Sequence, residues 1–285
     1  MRWTDDGPSS DLEDRRGEGG GGGFRLGHGL GLGGFIIVGI LSLVFKQNLF
    51  TLFGGDTTSS APSAAPAGSQ SPAEEKKVHF VSFVLDDVQK YWDGALPRSG
   101  HAYRHAKLVL FTDGVRSGCG IGEAAMGPFY CPVDQKVYID LGFYEELKTR
   151  FGAPGDFAQA YVIAHEVGHH VQDLIGVTAR VRDEAERDPP RANALSVRTE
   201  LQADCLAGVW GHSTEQRDLL EKGDVESGLG AAAAVGDDRI QRQAGGRVNP
   251  ERWTHGSSAQ RVAWFKRGLQ GGRLEDCDTF AARSP

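Results

Sequence analysis

Apolar positions recur at helical spacing most clearly over 156–176, where the chain reads DFAQAYVIAHEVGHHVQDLIG. Phe157, Ala160, Tyr161, Ala164, Val167, Val171 and Leu174 fall on one face, which predicts a helix with that face in a core. Asp156 with Gln159 three residues on resembles an N-terminal capping box, and Gly176 stands where a left-handed C-terminal cap is expected. A second helix is predicted over 78–95, with Phe80, Phe83, Val84, Val88 and Trp92 on or near one face. The runs KLVLF (107–111) and KVYID (136–140) read as short strands, with Gly, Asp and Pro turn signals between them. A short helix over 143–151 follows, closed by Gly152-Ala153-Pro154-Gly155.

After Gly176 a charged stretch leads to a break at Asp188-Pro189-Pro190. Helices are then predicted over 191–211, 214–222, 223–243 and 257–270, with a loop at 248–253. The pattern describes a mainly helical α+β domain over 75–285, with a small sheet ahead of the 156–176 helix.

The first quarter of the chain patterns differently. Residues 1–25 are polar, charged and glycine-rich, which predicts a disordered leader. From Leu26 to Phe45 no Asp, Glu, Lys or Arg occurs, and these twenty residues are just long enough to span a bilayer as a helix. A cleaved signal peptide is the competing reading, but no small-x-small cleavage site precedes the polar segment that follows. Arg15, Arg16 and Arg25 before the run, against Lys46 after it, predict a single-pass inner-membrane protein. Its N-terminus would be cytoplasmic and its folded domain extracytoplasmic. Residues 46–74 then read as an interfacial segment and a flexible linker.

Within the 156–176 helix lies His165-Glu166-Val167-Gly168-His169, an H-E-x-x-H pattern. Residues four apart on a helix point the same way, so His165 and His169 suit one zinc ion, with Glu166 beside that face. His170 points elsewhere round the helix and is a poor ligand for the same ion. A catalytic zinc needs a third protein ligand, and no H-x-x-G-x-x-H extension follows His169. Glu200 on the next long helix is the best candidate. Asp204, one turn further, would face the same way and could accept a hydrogen bond from a ligating histidine. Ala203, Ala207 and Gly208 are small enough for that helix to pack closely on another.

The net charge of −7 and the lack of a basic, aromatic-interleaved patch argue against a nucleic-acid partner. The hydrophobic fraction of 39% is ample for one core. Four cysteines occur and none forms a C-x-x-C pair, which argues against a cysteine zinc cluster. Cys119 and Cys131 flank what reads as two strands and a turn, leaving Cys205 and Cys277 as a second pair. Four free thiols in a reducing compartment is the alternative, and the membrane run favours disulfides outside the cytoplasm.

HEVGHHVQ followed by RTELQADCLAGVW, with PFYCPVDQKVYIDLGFY upstream and THGSSAQRVAWF downstream, resembles the neutral zinc metallopeptidase family of bacterial membrane-anchored proteins. The MRW start, the glycine-rich leader, the apolar run and the low-complexity linker also match that family's layout. By broader resemblance, H-E-x-x-H with a distant E-x-x-x-D helix is similar to the glutamate-zincin peptidases. The resemblance implies a zincin-like fold, one zinc ion on His165, His169 and Glu200, Glu166 as catalytic base, and Asp204 orienting a histidine. The implied substrate is a peptide or protein.

Peptide hydrolysis also needs a donor for the tetrahedral oxyanion. His255, in the Thr254-His255-Gly256 loop, is the candidate, with Tyr161 as a second; a histidine that merely caps the last helix is the bland alternative. Two other functions remain open at this level: a non-catalytic zinc-stabilised binding module, and a membrane sensor whose output is the N-terminal tail.

Overall fold

The structure is a computed structural model, and it describes residues 1–18, 71–124, 127–149, 152–153, 155–243 and 248–285. The expected membrane run at 26–45 and most of the expected linker at 46–74 lie outside the described residues. Among the described residues no helix is long and apolar enough to cross a membrane.

A mixed α+β domain is formed. Strands β1 (Leu12–Asp14), β2 (Lys107–Phe111), β5 (Phe129–Cys131) and β6 (Lys136–Asp140) make a sheet of order β1-β2-β6-β5. β1, β2 and β6 run parallel and β5 is antiparallel to β6. Between β2 and β5, β3 (Gly114–Ser117) and β4 (Gly120–Glu123) form a separate hairpin. Val137 to Ile139 are each no more than 1% exposed, which fits a strand flanked by others and covered on both faces.

The helices are α1 (Pro72–Ala95), α2 (Gly142–Thr149), α3 (Asp156–Leu174), α4 (Val177–Arg187), α5 (Ala192–Gln216), α6 (Asp224–Ala234), α7 (Asp237–Gln243) and α8 (Ser258–Gly271). α1 begins six residues before the position that the apolar pattern marks, because Ser71 and Glu74 form a reciprocal capping box and Pro72 suits the first turn. The box expected at Asp156 and Gln159 does not form. Gly155 caps α3 instead, at φ 118°, where a Cβ would lie 2.8 Å from Ser227 Oγ. Gly176 adopts the left-handed conformation after α3, at φ 79°.

Three helix boundaries differ from the sequence expectation. The charged stretch after Gly176 is the helix α4, whose one-per-turn stripe of Val177, Val181 and Ala185 is buried among Ala192 and Leu195. That stripe is too narrow to stand out from its charged neighbours. α5 continues to Gln216, so there is no separate helix over 214–222. The helix expected over 223–243 breaks near Gly236, where a Cβ would meet the Ser258 amide at 2.3 Å.

A larger correction concerns the leader. Residues 1–18 are part of the domain and not a disordered tail. Met1 is 7% exposed, and Trp3 meets Phe80 of α1 edge-on at 5.4 Å. Leu12, Glu13 and Asp14 pair in register with Leu108, Val109 and Leu110. Asp11 accepts from Lys107 Nζ (2.8 Å) and Gln89 Nε2 (2.9 Å), and Lys136 Nζ reaches Glu13 at 2.8 Å. A polar composition hides this docking because its contacts are made by side chains supplied from α1, β2 and β6. Residues 1–18 and the domain therefore sit together.

His105 ties this segment down, with Nδ1 2.6 Å from Asp11 and Nε2 2.8 Å from Asp93. Burial works against its charge, but the two carboxylates outweigh that and raise its pKa. Lys107 also donates to Asp11, at its other carboxylate oxygen. A raised folded-state pKa means the stabilisation is full below the unfolded value of about 6.5 and is lost as pH rises through the folded value. Limited proteolysis within residues 1–18 is expected to be slower in the wild type than in His105→Gln at pH 6. The two rates should converge at pH 9. An equal gap at both pH values would show that His105 carries no pH-dependent contact.

Candidate metal centre

α5 packs most extensively against α8 and next against α3. Gly208 of α5 and Gly268 of α8 permit the first contact, since a Cβ on Gly268 would lie 1.9 Å from the Cys205 carbonyl oxygen and one on Gly208 2.2 Å from that of Phe265. A disulfide ties Cys205 in the middle of α5 to Cys277, just beyond α8, and a second joins Cys119 to Cys131. Gly168, inside the H-E-x-x-H pattern, permits the second contact. A Cβ there would stand 3.1 Å from the Ala203 carbonyl oxygen. The close crossing of α3 and α5 at Gly168 and Ala203 brings Glu200 against the two histidines.

His165 Nε2 and His169 Nε2 are 3.2 Å apart. Glu200 places Oε2 3.3 Å from His165 Nε2 and Oε1 3.6 Å from His169 Nε2. Ligands held about 2.0–2.1 Å from a tetrahedral zinc ion lie about 3.3–3.4 Å from one another, so this triangle has the size a zinc ion requires. It is the one group of three such residues, among those described, whose ligand atoms converge.

Both Nε2 atoms are freed for a metal by what holds the other ring nitrogen. His165 Nδ1 donates to Asp204 Oδ1 at 2.9 Å. His169 Nδ1 donates to Gln172 Oε1 at 2.8 Å. The Gln172 amide is itself oriented, because its Nε2 donates to the Thr199 carbonyl (2.7 Å) and to Gln202 Oε1 (3.0 Å). Asp204 is fully buried and accepts also from Tyr161 Oη (2.5 Å) and from Arg261 Nε and Nη2 (2.8 and 2.9 Å). Tyr161 thus points behind His165, which removes it as an oxyanion donor. His170 is engaged elsewhere, between Tyr130 Oη and the Arg104 carbonyl.

Charge follows this geometry. Burial opposes ionisation of Asp204, but the Arg261 guanidinium and the His165 hydrogen bond hold its carboxyl below the usual range. Burial likewise opposes a charge on Glu200, and the histidines His169, His165 and His255 outweigh it. Glu166 is 7% exposed and its carboxyl is pushed up by burial, with His165 and His169 pulling the other way. His255 lies near enough for its charge to act on Glu200. Its loop is organised by Asp237, whose Oδ2 accepts from the Thr254, His255 and Gly256 amides at 2.8, 2.7 and 3.0 Å. Asp237 Oδ1 is 3.1 Å from His255 Nδ1.

Two participants were missed in the sequence. Arg261 is 3% exposed and occupies the apolar stripe of α8 with Trp264, Phe265, Gly268 and Leu269. A lone arginine at a core position of an amphipathic helix is the signal that could have found it, since such a charge needs a buried partner. Gln172 follows His169 by one turn, and a buried uncharged amide one turn from a ligand is the corresponding clue.

A profile of the family described as "Putative neutral zinc metallopeptidase" matches residues 1–280. The chain is 46% identical over 286 residues to the Escherichia coli protein called "Uncharacterized protein YpfJ", covering 98% of this chain and 99% of that one. It is 47% identical over 208 residues to an uncharacterized protein of Mycobacterium tuberculosis, covering 69% of this chain and 68% of that one. No solved structure matches. With three convergent ligand atoms, two oriented histidines and a family match over nearly its whole length, the chain belongs to the neutral zinc metallopeptidase family.

Proposed function

We propose that this chain is a membrane-attached, zinc-dependent peptidase of zincin-like type that hydrolyses peptide bonds in peptide or protein substrates. The observation that carries the reading is the His165, His169 and Glu200 triangle with Glu166 buried beside it. Zinc held there would supply a Lewis acid for the scissile carbonyl and the attacking water. Glu166 takes the proton of that water and passes it to the leaving amine. A carboxyl raised by burial is a better base than an exposed one. Asp204 and Gln172 keep the two histidines in the ligating tautomer, and Arg261 keeps Asp204 ionised.

His255 is the oxyanion donor in this scheme. Burial disfavours its charge, but the Asp237 hydrogen bond and Glu200 raise its pKa and so favour the imidazolium, the form in which Nδ1 donates to Asp237 and Nε2 has a proton to donate. Removing one oxyanion donor typically costs about 10²–10³ in kcat. His255→Gln is therefore expected to lower kcat by about 10²-fold with zinc content unchanged. An unaltered kcat would leave His255 as a loop anchor only.

The extended substrate would align on β5, the antiparallel edge strand nearest α3, to which Tyr130 is tied through Asp173 at 3.2 Å. The two disulfides favour an oxidising compartment. A closed, purely structural zinc site would call for a fourth protein ligand, and Glu166 would be superfluous in it. The test is metal analysis of the purified chain combined with hydrolysis of a mixed peptide library. One zinc per chain is expected, with hydrolysis abolished by a chelator and restored by zinc. Stoichiometric zinc without any cleavage would favour the binding module.

A further inference from the structure

We infer that Gln202 is a positioning residue for the metal ligand His169, and that the segment 277–282, strapped along α5, sets the direction in which it acts. The inference rests on the reading of His165, His169 and Glu200 as a zinc centre, and it names what decides which nitrogen of His169 is free. On α5, Arg198, Gln202 and Cys205 are spaced by four and three residues and so share one face. All three hold the same segment. Cys205 is joined to Cys277 by the disulfide, and Gln202 Nε2 donates to the Cys277 carbonyl at 3.0 Å. Arg198 Nη1 donates to the carbonyls of Thr279 and, at 2.8 Å, of Ala282. Thr279 Oγ1 donates back to the Arg198 carbonyl at 2.7 Å. Cys205, Cys277, Thr279 and Gln172 are wholly buried and Gln202 is nearly so, which places these bonds away from water.

Donor and acceptor chemistry fixes the polarity of the relay. A backbone carbonyl can only accept, so Gln202 turns Nε2 to Cys277 and Oε1 to Gln172. Gln172 Nε2 meets that oxygen at 3.0 Å and the Thr199 carbonyl at 2.7 Å, two acceptors that take both of its N–H groups. Its Oε1 is then the atom left for His169 Nδ1, 2.8 Å away. An oxygen there obliges Nδ1 to carry the proton, and the neutral ring keeps on Nε2 the lone pair that a zinc ion needs. With the Gln172 amide reversed, its oxygen would face the Thr199 carbonyl and Gln202 Oε1 with no proton between them. The proton on His169 Nδ1 is therefore set from the 277–282 segment, through two buried amides. His165 is held by a different device, the ion pair of Asp204 with Arg261. Uncharged amides serve His169 without a second buried carboxylate, which would call for a cation of its own.

Full-length wild type, Gln202→Met and Gln202→Glu would be stripped of metal and their zinc affinities measured by competition with a chromogenic chelator. Methionine has a similar length but offers Gln172 no oxygen. Partners behind a ligand typically carry about 10–100-fold in metal affinity, and Gln202 shares Gln172 with Thr199, so a loss of about 10-fold is expected. Gln202→Glu keeps an acceptor for Gln172 and should recover most of that loss. Gln202→Leu serves as a second acceptor-free variant should Gln202→Met fold poorly. The position of the His169 proton would be read in the metal-free chains from the ring-nitrogen NMR shifts. It should lie on Nδ1 in the wild type and be divided between the two nitrogens in Gln202→Met. Cys205→Ala combined with Cys277→Ala should lower zinc affinity in the same direction, with thermal unfolding confirming that the chain remains folded. Unchanged zinc affinity, or a proton still wholly on Nδ1, in a folded acceptor-free variant would overturn the inference. Equal losses in Gln202→Met and Gln202→Glu would do the same, and full affinity in the folded double variant would remove the 277–282 segment from it. A wild-type chain with its His169 proton on Nδ1 that binds no zinc would instead sink the metal-centre reading and leave the relay standing.

Discussion

Glu166→Gln is expected to abolish peptide hydrolysis, by at least about 10³-fold in kcat/KM, while the protein keeps its zinc and its fold. Glutamine has nearly the same shape but cannot accept the water proton, and general acid–base contributions run to about 10²–10⁴. Glu166 is buried on α3 next to the ligand His165, yet is not one of the three convergent ligand atoms. Metal content should therefore be indifferent to the change. Because the wild-type carboxyl is raised by burial, neutralising it should leave the fold intact or slightly firmer. The measurement is turnover on a cleaved library peptide beside zinc stoichiometry and thermal unfolding. Full activity would remove Glu166 from the chemistry, and loss of zinc would mean that it supports the ligand set.

Arg261→Met should produce the largest change in stability. Asp204 is completely buried, and Arg261 supplies two of the hydrogen bonds its carboxylate receives. Methionine fills much of the same volume but leaves Asp204 with Tyr161 and His165 alone. Breaking a buried ion pair from one side typically costs about 3–5 kcal/mol. A loss of that size should appear in denaturant unfolding of the variant. Zinc affinity should fall as well, by about 10–100-fold, because Asp204 sets the orientation of His165. Arg261→Lys should recover only part of both, since an ammonium cannot present two N–H groups in the arginine geometry. A change below about 1 kcal/mol with unaltered zinc affinity would show that Asp204 is adequately held without Arg261.

The fold class was legible because its signals are local. Apolar residues at helical spacing marked α1, α3, α5 and α8, and β-branched and aromatic runs marked β2 and β6. Those elements bury their own apolar residues, so their pattern survives any arrangement of neighbours. α4 was hidden by its charges, and the end of α5 and the break at Gly236 depended on which backbone came close. β1 was hidden for a stronger reason. Leu12–Asp14 has no pattern of its own and becomes a strand only because β2 offers it a free edge.

The same division runs through the metal centre. The helical repeat alone aligns His165 with His169 and sets Asp204 one turn after Glu200, so those relations were available from the chain. What the chain could not state was how far apart the two helices would lie. That is decided where Gly168 meets Ala203, since backbone contact without intervening side chains brings the ligand atoms to within 3.6 Å. Asp204 could be named from its helical position, but Arg261 and Gln172 were out of reach, because Arg261 arrives from α8 and Gln172 is aimed by carbonyl and amide groups of α5. By itself, then, the sequence determined which residues could serve a zinc ion and on which helical faces they stand. Only the tertiary structure decided that those faces converge, that their charges are balanced from a third helix, and that the polar N-terminal segment belongs to the domain. Periodicity is carried by neighbours along the chain, whereas distance between helices and the pairing of buried charges are set by contacts between residues far apart in it.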